Sequence, residues 1–156
     1  MVSNMVPVQS DLTEDTPLGD IIRGLETVIR EDMKISAGAL FGEGDWAVLN
    51  DAGELVAPGV TGVANTFMVW AGNAEGRTDV HATGNATVLT GGHYVYRTTK
   101  YDPGPAYTVG EALTVKDLGG GEMVPTTAIV GTDAVIGRVR TVPTADNVME
   151  IEVVAN

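Results

Sequence analysis

Cysteine is absent from the 156 residues, which removes disulfide frameworks, thiolate metal sites and cysteine nucleophiles together. A chain built this way suits a reducing cytoplasm. Serine occurs only at Ser3, Ser10 and Ser36, none of them in a Gly-x-Ser-x-Gly elbow, so the pattern of a serine hydrolase is missing. The two histidines, His81 and His93, follow no His-Glu-x-x-His spacing and suggest no zinc site. Positive charge is also scarce. Nine Lys and Arg residues face 21 Asp and Glu, a formal net charge of −12, and binding to a phosphate backbone draws its affinity from the basic residues that are lacking. No apolar run reaches the roughly 20 residues that cross a bilayer, and residues 1–10 lack the basic start and apolar centre of a signal peptide. The expectation is a protein made and used in the cytoplasm, with no cofactor, no metal, no membrane and no direct nucleic-acid contact.

What is present is glycine, valine and short alternating runs. Twenty glycines and seven prolines against two phenylalanines describe many brief strands joined by tight turns, with aliphatic side chains filling the core. From Tyr107 to Ala155 apolar and polar residues alternate, break at glycine or proline, and resume, which predicts a β-meander ending in Met149-Glu150-Ile151-Glu152-Val153. That last segment alternates cleanly, so Glu150 and Glu152 are expected in water. Further strands are expected at Trp46–Leu49, Glu54–Val56, Thr66–Trp70, Ala86–Thr90 and His93–Thr99, with Gly91-Gly92 and Gly119-Gly120-Gly121 as turns and Tyr101-Asp102-Pro103-Gly104-Pro105 as a rigid corner. The fold class is therefore mainly β, a sandwich or small barrel of about eight or nine strands.

Ahead of the β domain, residues 37–156, lie two other segments. Residues 1–15 read as an arm: alone they have no sustained period, yet Met5, Val6, Pro7 and Val8 are apolar enough to lie as a strand on an open sheet edge of another subunit. Residues 16–36 read as an amphipathic helix and connector. Thr16 can cap, Pro17 suits the first turn, and Leu18, Ile21, Ile22, Leu25, Val28 and Ile29 fall on one helical stripe, with Glu26 and Arg30 four apart outside it. The stripe packs either on its own sheet or on a neighbour, and its β-branched residues are equally compatible with a strand. Met5, Val6, Pro7, Val8, Leu18, Ile21, Ile22 and Leu25 are the expected partner-binding residues; no catalytic residue is assigned.

One pattern occurs twice. Gly44-Asp45, an apolar strand, Asp51, then Gly53-Glu54-Leu55-Val56 and Pro58 are answered by Gly110-Glu111, an apolar strand, Asp117, then Gly121-Glu122-Met123-Val124 and Pro125. Either two hairpins share ordinary turn chemistry, or the chain holds two related halves.

The stretches Gly44 to Val56, Tyr107 to Val115 and Val135-Ile136-Gly137-Arg138-Val139 together resemble small structural proteins of tailed bacteriophages, most nearly the capsid decoration, or cement, class. The resemblance covers roughly Gly44 to Val154. It implies a non-enzymatic β body on the outer surface of a head shell, a homotrimer at local threefold positions, with an N-terminal arm reaching onto the major capsid protein and bridging its neighbours. Two other readings stand beside it. A tail-tube, head-completion or fibre-base protein shares the same composition, and Trp46, Trp70, Tyr94, Tyr96 and Tyr101 would stack on sugar rings if they clustered on the surface of a glycan-binding module.

Overall fold

The computed structural model describes residues 21–24, 28–39, 41–42, 44–70, 84–119 and 123–155. They form ten strands: β1 (Ile21–Gly24), β2 (Ile29–Lys34), β3 (Trp46–Leu49), β4 (Leu55–Val56), β5 (Phe67–Val69), β6 (Asn85–Thr98), β7 (Ala112–Asp117), β8 (Met123–Thr127), β9 (Gly137–Thr141) and β10 (Met149–Ala155). The chain is mainly β, as its composition predicts. Its antiparallel sheet runs β4-β3-β5-β6-β10-β9-β7-β8 and curls into a half-barrel, with β1 and β2 added along β6.

Three expectations are corrected. No helix occurs among the described residues: within the stretch expected to be helical, Ile21–Gly24 and Ile29–Arg30 are extended and pair with β6, while residues 16–20 and 25–27 lie outside the described residues. Helical spacing of Ile21, Val28 and Ile29 lost to their β-branched preference once a long strand offered its edge, since propensity yields to tertiary pairing. Gly91-Gly92 is not a turn. Both glycines stay inside β6, and Gly92, at φ 104°, marks where the strand changes partners. Before it, Val88 lies between Glu31 of β2 and Val69 of β5; after it, Tyr96 lies between Ile21 of β1 and Ile151 of β10. Finally, the last four strands are not a simple meander, because β9 returns to pair with β7 rather than β8.

The echo in the sequence is a duplication in the structure. Strands β2, β3, β4, β5 and the first half of β6 have the same pairing as the second half of β6 with β7, β8, β9 and β10. Trp46 faces Met68, which faces Leu89; in the second half Ala112 faces Arg138, which faces Glu152. Ala47 with Phe67 and Val69 with Val88 are answered by Leu113 with Gly137 and Val139 with Ile151. The entry turns repeat bond for bond. Gly44 N–H donates to the Val69 carbonyl (2.7 Å) and Val69 N–H to that of Asp45 (2.8 Å); Gly110 N–H donates to Val139 (2.8 Å) and Val139 N–H to Glu111 (2.9 Å). Both glycines hold positive φ, 81° and 86°, which glycine adopts without strain. Past the hairpin the true equivalence differs from the sequence echo by two residues: Leu49 faces Leu55 and Val115 faces Pro125, and the carbonyls of Leu55 and Pro125 accept from Ser36 N–H and Asp102 N–H (3.0 and 2.9 Å).

The halves pack in sequence, one on the back of the other. In the first half Ala47, Leu55, Val69 and Val88 form a small core with Ile35 and Phe41 from the segment after β2. Their counterparts Leu113, Val139 and Ile151, with Met123, Val115 and Val153, join a larger core into which the first half sends its opposite face, Trp46, Met68 and Leu89. Each fully buried Leu, Ile or Met here contributes about 1.5–3 kcal/mol of burial free energy. Trp46 Nε1–H donates to Tyr96 Oη (3.3 Å) across this seam.

Candidate functional site

Charged groups in the described residues serve mainly as locks. At the start of β3, Asp45 turns its carboxylate back to accept from Gly42 N–H (2.6 Å) and from Lys100 Nζ (2.9 Å), tying one half to the other. Glu111 repeats the first of these bonds, accepting from Thr108 N–H (3.0 Å). An acid three residues after the amide it caps is what a Thr-x-x-Glu spacing allows. On the surface, Lys34 pairs with Glu54 (2.6 Å), and its bond holds the Glu54 carboxyl below the usual range.

Asp102 is the most fully engaged of these groups. It is 6% exposed, and its carboxylate accepts from Lys116 Nζ (2.8 Å), Thr126 Oγ1 (2.9 Å) and Gly104 N–H (3.0 Å). Burial opposes its ionisation, yet the bonds from Lys116, Gly104 and Thr126 and the lysine charge outweigh that and hold its pKa below the ordinary value. The Asp102 carbonyl accepts from Tyr107 Oη (2.6 Å), whose pKa burial and the nearby Asp102 charge push up. The corner at 101–105 is thereby fastened to β7 and β8. The sequence carried a partial signal, since an aspartate two residues before a glycine is a common side-chain-capped turn; its partners on distant strands carried none.

The outward face of the second half holds a different arrangement. Glu152, expected in water, is largely covered, with a side-chain exposure of 13%, and three basic groups surround it: His93 Nε2 at 3.3 Å, Arg140 at 3.6 Å and Arg138 Nε at 3.8 Å. Alternation in β9 and β10 places Arg138, Arg140, Glu150 and Glu152 on one side of the sheet. Beside them a cleft of about 350 Å³ is bounded by Gly110, Ala112, Val135, Gly137, Arg138 and Val154, and a second of about 170 Å³ shares Val135 and Val154 at the seam with Trp46 and Leu89. Exposed aliphatic side chains continue along the neighbouring loops: Val109, Val60, Ile129 and Val130, the last at 82% exposure. Val60 and Val130 sit in the equivalent loops of the two halves; Gly62 N–H donates to the Val115 carbonyl of β7 (3.0 Å), and the Gly62 carbonyl accepts from Ala134 N–H of the second loop (3.0 Å).

Of the residues expected to bind a partner, Met5, Val6, Pro7, Val8, Leu18 and Leu25 lie outside the described residues, while Ile21 and Ile22 belong to β1 on this chain's own sheet. The aromatic residues do not gather on the surface. Trp46, Tyr94 and Tyr96 are buried in the larger core, and Trp70 and Tyr101 are half-buried against it, Trp70 beneath the Arg30 guanidinium at 4.4 Å. His81 lies outside the described residues, and among the described residues no three His, Asp or Glu side chains converge as metal ligands. Comparison with family models, with curated proteins and with solved structures finds no match to this chain.

Proposed function

We propose that this chain is a structural protein of a virion, a decoration protein that binds the outer surface of a tailed-phage capsid and stabilises it by bridging neighbouring major capsid subunits. The observation that carries the reading is the exposed aliphatic set on a fastened body: Val60, Val109, Ile129, Val130, Val135 and Val154 stand on loops and strand ends. These side chains offer a partner apolar surface to bury. The segments that resemble the decoration class fold as β3 and β4, β7, and β9, so the resemblance falls on the sheet's own framework. Net charge of −12 suits an outer face, away from packaged nucleic acid.

In this reading the protein carries out no chemistry and needs no cofactor. Residues 1–15 form the arm, and Met5 to Val8 add a strand to the shell, gaining backbone hydrogen bonds that need no particular side chain. A homotrimer at local threefold positions is the expected assembly. The test is occupancy: the full chain should co-sediment with purified expanded heads, and deletion of residues 1–15 should reduce its occupancy and the heads' resistance to heat. Equal occupancy and equal head stability for the two chains would end the bridging role of the arm, and failure of the full chain to bind heads would end the reading itself.

A further inference from the structure

From the geometry of the second half we infer that the outward face of β6, β9 and β10 is a docking site for an extended protein segment combining aliphatic side chains with carboxylates. The first argument is internal precedent. In the first half the equivalent face, Trp46, Met68 and Leu89, is the surface on which the second half packs. Its counterpart, Ala112, Arg138 and Glu152, has the same backbone pairing, but Arg138 keeps a side-chain exposure of 59% and the adjoining Val154 and Val135 are exposed. A face that the fold already uses once for docking stands open in its second copy.

The chemistry of the face selects the occupant. Lys34, Lys100 and Lys116 are each paired with a single carboxylate, on Glu54, Asp45 and Asp102 respectively. Here Arg138 and Arg140 share Glu152 with His93, at 3.6–3.8 Å for the two arginines, which leaves guanidinium donors for a carboxylate from outside. The cleft between Gly110, Ala112, Val135 and Val154 takes an aliphatic side chain next to that carboxylate. A second copy does not supply the packing partner used in the first half, because both of its core faces are filled, one by Ile35 and Phe41 and the other by Trp46, Met68 and Leu89. An extended segment fits instead, its side chains two residues apart on one face reaching the cleft and the arginines in turn.

This inference concerns the face alone and does not require the capsid reading. The experiment titrates the full, isotope-labelled chain with a synthetic peptide of about ten residues in which valine and aspartate lie two apart, with serine between them, so that one strand face carries both; amide resonances are followed. Matched valine–lysine and serine–aspartate peptides serve as controls. The expected result is saturable shifts confined to Gly110, Gly137, Arg138 and Val154 with the valine–aspartate peptide, and binding weaker by about tenfold or more for either control, as loss of a charge-assisted or an apolar contact dictates. Arg138→Gln with Arg140→Gln, which removes the guanidinium charges without setting new carboxylates beside Glu152, should abolish the preference for aspartate, with the amide spectrum of the free variant showing that it is folded. Absence of shifts at millimolar peptide, shifts centred elsewhere, or equal binding of the lysine peptide to the unmodified chain would overturn it. So would the same resonances moving with protein concentration alone, since that would make a second copy the occupant.

Discussion

Replacing Asp102 tests the claim that the polar groups of this fold are structural locks. Asp102→Ala removes the acceptor for Lys116 Nζ, Thr126 Oγ1 and Gly104 N–H. Thr126 is itself buried, at 5% exposure, so its hydroxyl loses its partner in a dry site, at a cost of about 1–3 kcal/mol. Lys116 is 40% exposed, and water recovers most of what it loses, which keeps the total below the 3–5 kcal/mol typical of breaking a fully buried pair. The sum comes to about 2–3 kcal/mol, or roughly 4–12 °C in melting temperature for a domain of this size. Urea unfolding followed by the fluorescence of buried Trp46 measures it. Thr126→Val should cost about 1 kcal/mol in the parent and much less in the Asp102→Ala background, because both changes break one bond. A loss under about 0.5 kcal/mol for Asp102→Ala, or strict additivity of the two, would refute the reasoning.

Acid should reveal the same group. Its carboxyl titrates below the unfolded value of about 3.9, so its stabilisation is complete above that pH and disappears as pH falls through the lowered folded value; below about pH 4 the parent should lose stability more steeply than Asp102→Asn. Gly137→Ala should cost about 3 kcal/mol, because the new Cβ would stand 2.2 Å from the Glu152 carbonyl oxygen and the backbone of β10 must move; chemical denaturation of the purified variant checks it. Gly44→Ala and Gly110→Ala should each cost about 1–2 kcal/mol for their positive φ, and unequal effects would argue against equivalent turns. Tyr96→Phe strands the buried Trp46 indole N–H and should cost about 1 kcal/mol, seen as a lower urea midpoint.

Strand positions were legible because their signal is local. Trp46–Leu49 is a short apolar run closed by the turn residues Asn50 and Asp51, and Met149 to Val153 alternates strictly; such runs need no distant information to be recognised. Pairing was not legible. Nothing near Gly137 says that β9 returns to β7, and nothing near Gly91-Gly92 says that the strand continues, since a glycine pair reads locally as a turn and only its four partner strands hold it straight. The segment at 21–30 failed for a related reason: isoleucines spaced for a helical stripe are also good strand residues, and the free edge of β6 decided between them. The surroundings of Glu152 were hidden for want of partner identity, because alternation gives the side of the sheet but not which basic residues share it.

Comparing the halves separates what the fold needs from what it does not. Where both copies hold the same chemistry, at the positive-φ glycines, the capping acids Asp45 and Glu111, and the inward row Val69–Val88 and Val139–Ile151, the requirement is backbone geometry and core. Where the copies differ, the backbone tolerates either residue and the choice reflects the neighbour. Trp46, Met68 and Leu89 meet the second half of the curled sheet; Ala112, Arg138 and Glu152 have no such partner among the described residues, and an apolar row left there would have invited uncontrolled stacking. A capped outer face alone would be served by any solvated polar residues. Two arginines and a histidine gathered on one carboxylate, beside exposed valines, are more than solubility asks, and that excess makes this face the most informative place to look for a partner.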